Sequence, residues 1–147
     1  MYKHILIPTD GSALSKKAVK KGVELASAMG AKITFFHSPA DYEVVLYGEY
    51  FPPDLMPQVE YEKRAKASAE KILAEAAKTA AAAGVDCDTA YKSSRAPWEA
   101  IVTAAQKKKC DLIFMASHGR RGLAGMLLGS ETSKVLTHSK VPVLVYR

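Results

Sequence analysis

The chain has 147 residues, 48% of them hydrophobic and 24% charged, with a formal net charge of +6. That length suffices for one domain, taken as residues 1–147, with a core of its own, and the composition excludes a disordered or fibrous chain. No apolar run approaches the ~20 residues of a membrane span, and the opening Met1–Pro8 has too short an apolar run and no small-residue cleavage site for a signal peptide.

In chain order, the first expected strand is Tyr2–Ile7. A helix follows Asp10-Gly11-Ser12, with Leu14, Ala18, Gly22, Leu25 and Met29 recurring at helical spacing toward the core and Gly30 as its stop. The second strand is Lys32–His37. Residues 38–56 form the one long irregular stretch, carrying Tyr42, Tyr47, Tyr50, Phe51 and the pair Pro52-Pro53, and a loop of that length suggests either a lid or a contact surface. An alanine-rich helix from Gln58 to Ala83 is stopped by Gly84. Val85–Tyr91 is the third strand, and Pro97 opens a third helix running to Lys108. Asp111–Ala116 is the fourth strand, a fourth helix starts near Ser130, and Val141–Tyr146 is the last strand.

Alternating strands and helices imply a parallel sheet with helices on both faces, an α/β doubly wound fold of order 3-2-1-4-5. The two cysteines, Cys87 and Cys110, lack metal-ligand spacing; Cys110 reads as a small core residue and Cys87 lies in the third strand. The basic balance favours anionic partners. Nucleic acid is disfavoured, because Lys16, Lys17, Lys20, Lys21 and Lys107–Lys109 lie on amphipathic segments and no aromatics interleave with them.

The richest stretch is Ala116-Ser117-His118-Gly119 through Gly129-Ser130, with further glycines at 122 and 125, joining an apolar strand to a helix start. Glycine lets a backbone turn tightly and approach a ligand, and a helix N-terminus offers unpaired N–H groups to an anion. The stretch is therefore either a phosphate cradle or a purely structural turn. In the expected topology ligands bind beyond the carboxyl ends of the strands where strand order reverses, between strands one and four. Strand one ends there at Pro8-Thr9-Asp10. An ionised Asp10 repels phosphate and accepts from a ribose hydroxyl or an adenine amino group. Alternatively Asp10 or Ser12 simply caps the first helix.

The whole chain resembles a single-domain universal stress protein. Ile5-Leu6-Ile7-Pro8-Thr9-Asp10-Gly11-Ser12 is similar to that family's first strand and turn, and Gly129-Ser130 through Val145 to its last helix and strand. The ATP-binding branch carries Gly-x-x-Gly, nine residues, then Gly-Ser or Gly-Thr; Gly119, the nine residues Arg120 to Leu128, and Gly129-Ser130 match, with Ala116 in place of the first glycine. The resemblance implies ATP as ligand, with Mg²⁺ or Mn²⁺ as a companion. It implies Asp10 by the nucleoside, the Ser38 main chain by adenine, and a phosphate side of His118, Gly119, Gly129, Ser130 and Thr132, with the Ser130 and Thr132 hydroxyls as donors; Pro8, Thr9, Met115, Ala116, Arg120 and Glu131 complete the implied nucleotide-binding set. It also implies a stress-response or regulatory protein of the cytoplasm and a homodimer paired through Val141–Tyr146. The Ala116 methyl either crowds the ligand or is harmless at a strand end. Arg95, where the family often has glycine, either closes over the site or faces water.

No Gly-x-Gly-x-x-Gly follows the first strand and no Walker lysine motif occurs, so a dinucleotide enzyme is disfavoured. His118 lacks an evident nucleophile–base–carboxylate set, and Trp98 reads as packing for the third helix. Hydrolysis is at most slow. The alternative function is an interaction module of the same fold that binds no nucleotide.

Overall fold

The apolar runs of the chain become the strands of one five-stranded parallel sheet, order β3-β2-β1-β4-β5. A computed structural model describes residues 1–43, 56–120, 122–123 and 125–147. Its elements are β1 (His4–Pro8), α1 (Ala13–Met29), β2 (Lys32–His37), α2 (Gln58–Ala82), β3 (Cys87–Tyr91), α3 (Pro97–Lys107), β4 (Leu112–Ala116), α4 (Ser130–His138) and β5 (Val143–Tyr146). The expected α/β order and topology are those observed. Tyr47, Tyr50, Phe51, Pro52, Pro53, Arg121 and Ala124 lie outside the described residues.

Alternation along the strands divides the core into two layers. Ile5, Ile7, Ile33, Phe35, Leu112, Phe114 and Ala116 face α1 and α2. Leu6, Phe36, Ile113 and Met115 face α3 and α4, where Ala100, Ile101, Ala105 and Val135 meet them. A sheet covered on both faces requires such nearly continuous apolar strands. Gly22 lets α1 approach closely, since a Cβ there would stand 2.5 Å from Ile7 Cδ1.

Several boundaries differ from expectation. β1 starts at His4, because the Asp111 carboxylate takes the Lys3 and His4 N–H groups. β3 starts at Cys87, because the Val85 N–H closes the end of α2 on the Ala80 carbonyl. β5 starts at Val143, after Pro142, which has no N–H to give, and a Ser139–Val141 turn. The buried stripe of α1 is Ser15, Ala18, Val19, Gly22, Val23 and Ala26, while Leu14, Leu25 and Met29 are only partly covered at its margin. Cys110 is buried, with its thiol pushed up to about 11 by desolvation. Cys87 is half-buried on the edge strand.

At the end of the sheet remote from the glycine loop, a polar chain runs from buried His4 and Thr34 out to the surface at Asp88 and Lys108. Thr34 gives its hydroxyl proton to Asp88, so His4 Nε2, 2.7 Å away, must be the donor to Thr34, and Lys108 closes the chain on Asp88 at 2.8 Å. Burial holds the His4 imidazole below its ordinary value, with Lys32 acting in the same direction.

α3 ends on a non-glycine residue in the left-handed region: Lys109 has φ 56°, with its N–H on Gln106 O and the next N–H on Ala105 O. This conformation costs an L-residue roughly 1–2 kcal/mol, against about 0.5–1 kcal/mol for the extra chain freedom of glycine. Lys109→Gly is therefore expected to stabilise the fold by about 0.5–1 kcal/mol, seen as a higher denaturant midpoint at unchanged slope.

Candidate functional site

The chain leaves β1 toward α1 on one face of the sheet and leaves β4 toward α4 on the other. The β1–β4 ladder pairs Ile5 with Leu112 and Leu6 with Ile113, whereas the β1–β2 ladder continues to Pro8 and Phe36. The carboxyl ends of β1 and β4 thus form the two walls of a crevice at the reversal of strand order.

On the β1 wall the turn satisfies its own polar groups. Thr9 is buried, with its hydroxyl 2.6 Å from Ser15 Oγ. The Gly11 N–H reaches Thr9 Oγ1 at 3.3 Å and the Asp10 N–H reaches Ser15 Oγ at 3.2 Å. Ser12, not Asp10, is the N-cap of α1, accepting from the Ser15 N–H at 3.3 Å. Asp10 instead spans the crevice. Oδ1 accepts from the Ser12 N–H at 2.9 Å, and Oδ2 from the Arg120 N–H at 3.0 Å. Burial alone would raise its carboxyl, but the Ser12 hydrogen bonds, then the Arg120 N–H and guanidinium, outweigh it and hold the group ionised below the usual carboxylate range. Each oxygen thus already accepts a main-chain N–H, and an ionised carboxylate has about four acceptor sites, so capacity is left for a ligand donor.

On the β4 wall, the chain after Ala116 folds around His118. A Cβ on Gly122 would overlap the His118 ring, and one on Gly129 would lie 3.1 Å from His118 Cα. These glycines therefore make room for an imidazole whose Nδ1 is 3.2 Å from Ser117 Oγ. Gly119 is required for a different reason: a side chain there would strike the Asp10 carboxylate. Gly125 holds φ 81°, a left-handed turn.

α4 begins at Ser130 behind Gly129, whose extended N-cap residue supplies no side-chain cap. The Gly129 N–H is on Ser117 O, and Ser130 is exposed in the first turn. An uncapped helix start carries the positive end of the dipole. The β1–α1 turn, with its N–H groups already satisfied, offers an anion less.

Three residues expected on the ligand side have other occupations. Thr132 is buried and gives its hydroxyl proton to Ala116 O at 3.0 Å, so that proton holds α4 to the end of β4. The Glu131 side chain turns away and accepts the Trp98 N–H at 2.8 Å, capping α3, whose own N-cap residue Ala96 has no side-chain acceptor. Trp98 packs beside the second core layer, as expected, and also stacks on His138 at 4.5 Å. Met115 is buried in that layer, so only its main chain reaches the crevice. Ala116 is extended, in register with Tyr146, and its side chain belongs to the first core layer. Pro8 ends β1, and Ser38 gives its hydroxyl proton to Lys92 O at 3.0 Å.

Sequence reasoning missed His37. Its Nδ1 donates to Thr9 O at 2.8 Å and ties the ends of β1 and β2. A carbonyl only accepts, so the neutral ring carries its proton on Nδ1. Burial keeps the imidazole below its ordinary value against that bond and the nearby Asp10 charge. The signal available was a histidine closing an otherwise apolar strand. Arg95 neither closes over the crevice nor stands alone in water: it pairs with Asp41 at 3.8 Å and with Glu43.

Comparison with known proteins agrees with this architecture. Residues 1–147 match the profile of the Universal stress protein family. A universal stress protein of Thermus aquaticus is 35% identical, with both chains covered in full. The solved universal stress protein UspA of Lactobacillus plantarum superposes with TM-score 0.83 at 26% identity, covering 99% of this chain and 98% of that one. A universal stress protein solved in complex with cAMP gives TM-score 0.70 at 31% identity, covering 99% and 97%. With the family profile matched over every residue and its fold superposing on solved members, the chain belongs to the universal stress protein family.

Proposed function

We propose that the protein is a regulatory adenine-nucleotide binder of the cytoplasm, with ATP as its ligand. The observation that carries this reading is the crevice itself. An acceptor-only carboxylate stands on one wall, and an uncapped helix start behind a loop tightly packed at Gly119 and Gly129 stands on the other. A nucleotide has the matching polarity, with hydroxyl and amino donors at the nucleoside end and an anion at the other. The similar protein with cAMP bound supports the nucleotide class. In this reading the ribose meets Asp10, the base lies toward the main chain of Ser38, and phosphate meets Gly119, Gly129, Ser130 and the N–H groups of the first turn of α4. Mg²⁺ or Mn²⁺ would accompany the phosphates. These residues bind; none is assigned a chemical step, and any hydrolysis is slow.

A second reading, an interaction module without nucleotide, draws on the prior occupation of Asp10 by Ser12 and Arg120. Calorimetric titration with ATP and adenosine, together with mass spectrometry of ligand carried through purification, separates the two. Saturable ATP binding is expected, and Asp10→Ala should weaken ATP and adenosine alike. No binding at millimolar ligand would leave the interaction module.

Ala116 supplies an independent check. Its extended backbone needs no glycine and its methyl fills the core. Ala116→Gly is expected to leave ATP affinity unchanged and to cost about 1 kcal/mol of stability. A tenfold gain in affinity would show that the methyl crowds the ligand.

We also propose a homodimer paired through β5. This strand is a sheet edge, and Leu144 upon it and Leu136 on α4 are 40% and 42% exposed. An apolar edge invites pairing, and a two-fold axis closes the assembly. Sedimentation should give a dimer at micromolar concentration, and Val143→Lys with Val145→Lys a monomer or a destabilised chain; a monomeric wild type sinks the proposal.

A further inference from the structure

Arg120 joins the two walls of the crevice twice. Its main-chain N–H donates to Asp10 Oδ2, and its Nε–H donates to the Asp10 main-chain carbonyl, both at 3.0 Å. The guanidinium lies along the β1–α1 turn, since a Cβ placed on Gly11 would be 3.2 Å from its terminal nitrogen. Gly119, the preceding residue, abuts the same carboxylate. The loop after β4 is therefore clasped onto the turn after β1, across the path from Asp10 to the start of α4.

The clasp is chemically unequal in its two parts. The N–H on Oδ2 has an ionised acceptor. The Nε–H has a neutral carbonyl, on an exposed side chain. The guanidinium is charged with either acceptor, but phosphate adds an opposite charge and offers paired oxygens that the planar fork matches, where the carbonyl offers one neutral oxygen. Phosphate oxygen placed beside Asp10 also faces a like charge, which favours moving the cation between them. A nucleoside brings neither effect.

Resting on the nucleotide-binding reading, we infer that Arg120 is the phosphate sensor of the crevice. Ligand phosphate takes its guanidinium from the Asp10 carbonyl and uncouples the loop after β4 from the β1–α1 turn, whereas adenosine leaves the clasp closed. The consequence is displayed on that loop, where Leu123 and Leu127 are 70% and 56% exposed. Uncoupling changes how this apolar surface is held.

Two measurements on the full chain test this. In the first, the Arg120 Nε–H resonance is followed by NMR during titration with adenosine and with AMP. AMP should move it, and adenosine should shift signals at the ends of β1 and β4 while leaving it in place. Equal displacement by both ligands, or none by AMP, overturns the inference. If neither ligand shifts any signal at those strand ends, the nucleotide-binding reading falls and the inference with it. In the second, hydrogen exchange is measured without ligand. Arg120→Ala should exchange amides of residues 118–129 roughly two- to tenfold faster than wild type, the factor of one exposed hydrogen bond, with β1 and β4 unchanged. Arg120→Lys, which keeps the charge but lacks the Nε donor, should match Arg120→Ala in exchange yet keep a larger preference for AMP over adenosine than Arg120→Ala, where only the start of α4 is left to meet the phosphate. Wild-type exchange in Arg120→Ala would show that the guanidinium does not hold the loop, which overturns the inference whatever the nucleotide affinity.

Discussion

Everything at the functional end of this molecule follows from one topological constraint: two neighbouring parallel strands send their chains to opposite faces of the sheet. After β1 the chain must cover the layer of Ile5, Ile7 and Phe35; after β4 it must cover the layer of Leu6, Phe36 and Ile113. Right-handed crossovers leave no other arrangement. The strands part at their carboxyl ends, and the two turns that begin the crossovers face one another across the opening. Asp10 and Arg120 are 110 positions apart in the chain and in hydrogen-bond contact in space for this reason.

The two walls use their polar groups differently. Thr9, Ser12 and Ser15 close the β1–α1 turn with hydroxyls, leaving the Asp10 carboxylate as its outward charge. The start of α4 has no such side-chain cap, and its Ser130 is exposed. Thr132 is turned inward on Ala116 O, Glu131 is turned sideways to Trp98, and Gly129 has no side chain. A negative group therefore faces a helix start whose positive end is uncompensated by a cap. Placing glycine against Asp10 and around His118 adds a steric condition: a Cβ would overlap a side chain at residues 119 and 122 and sit tightly at 129. Part of what reads as a glycine-rich ligand motif thus serves packing, and one residue type meets both needs.

Much of the fold was legible in the chain itself. Runs such as Leu112–Met115 are too short and too uniformly apolar for anything but buried strands, and alternation with helical spacing dictates a parallel sheet. Glycine stops and Pro97 marked the helix ends to within a residue or two. The exact buried stripe of α1 was less legible, since Leu25 and Val23 are equally apolar and only the position of the sheet decides which is covered. In the same way the candidate ligand region could be located from Asp10, the glycine loop and the expected reversal of strand order.

By itself, then, the sequence determined the element order and the family resemblance and marked a candidate ligand end of the sheet, because local periodicity and glycine placement are written residue by residue. It left the role of individual polar side chains open. Ser12 rather than Asp10 caps α1, Thr132 serves β4, Glu131 serves α3, and His37 binds the ends of two strands. Those roles are hydrogen-bond pairings with partners distant along the chain. Which donor meets which acceptor is set by packing, and only the tertiary structure brings the partners together.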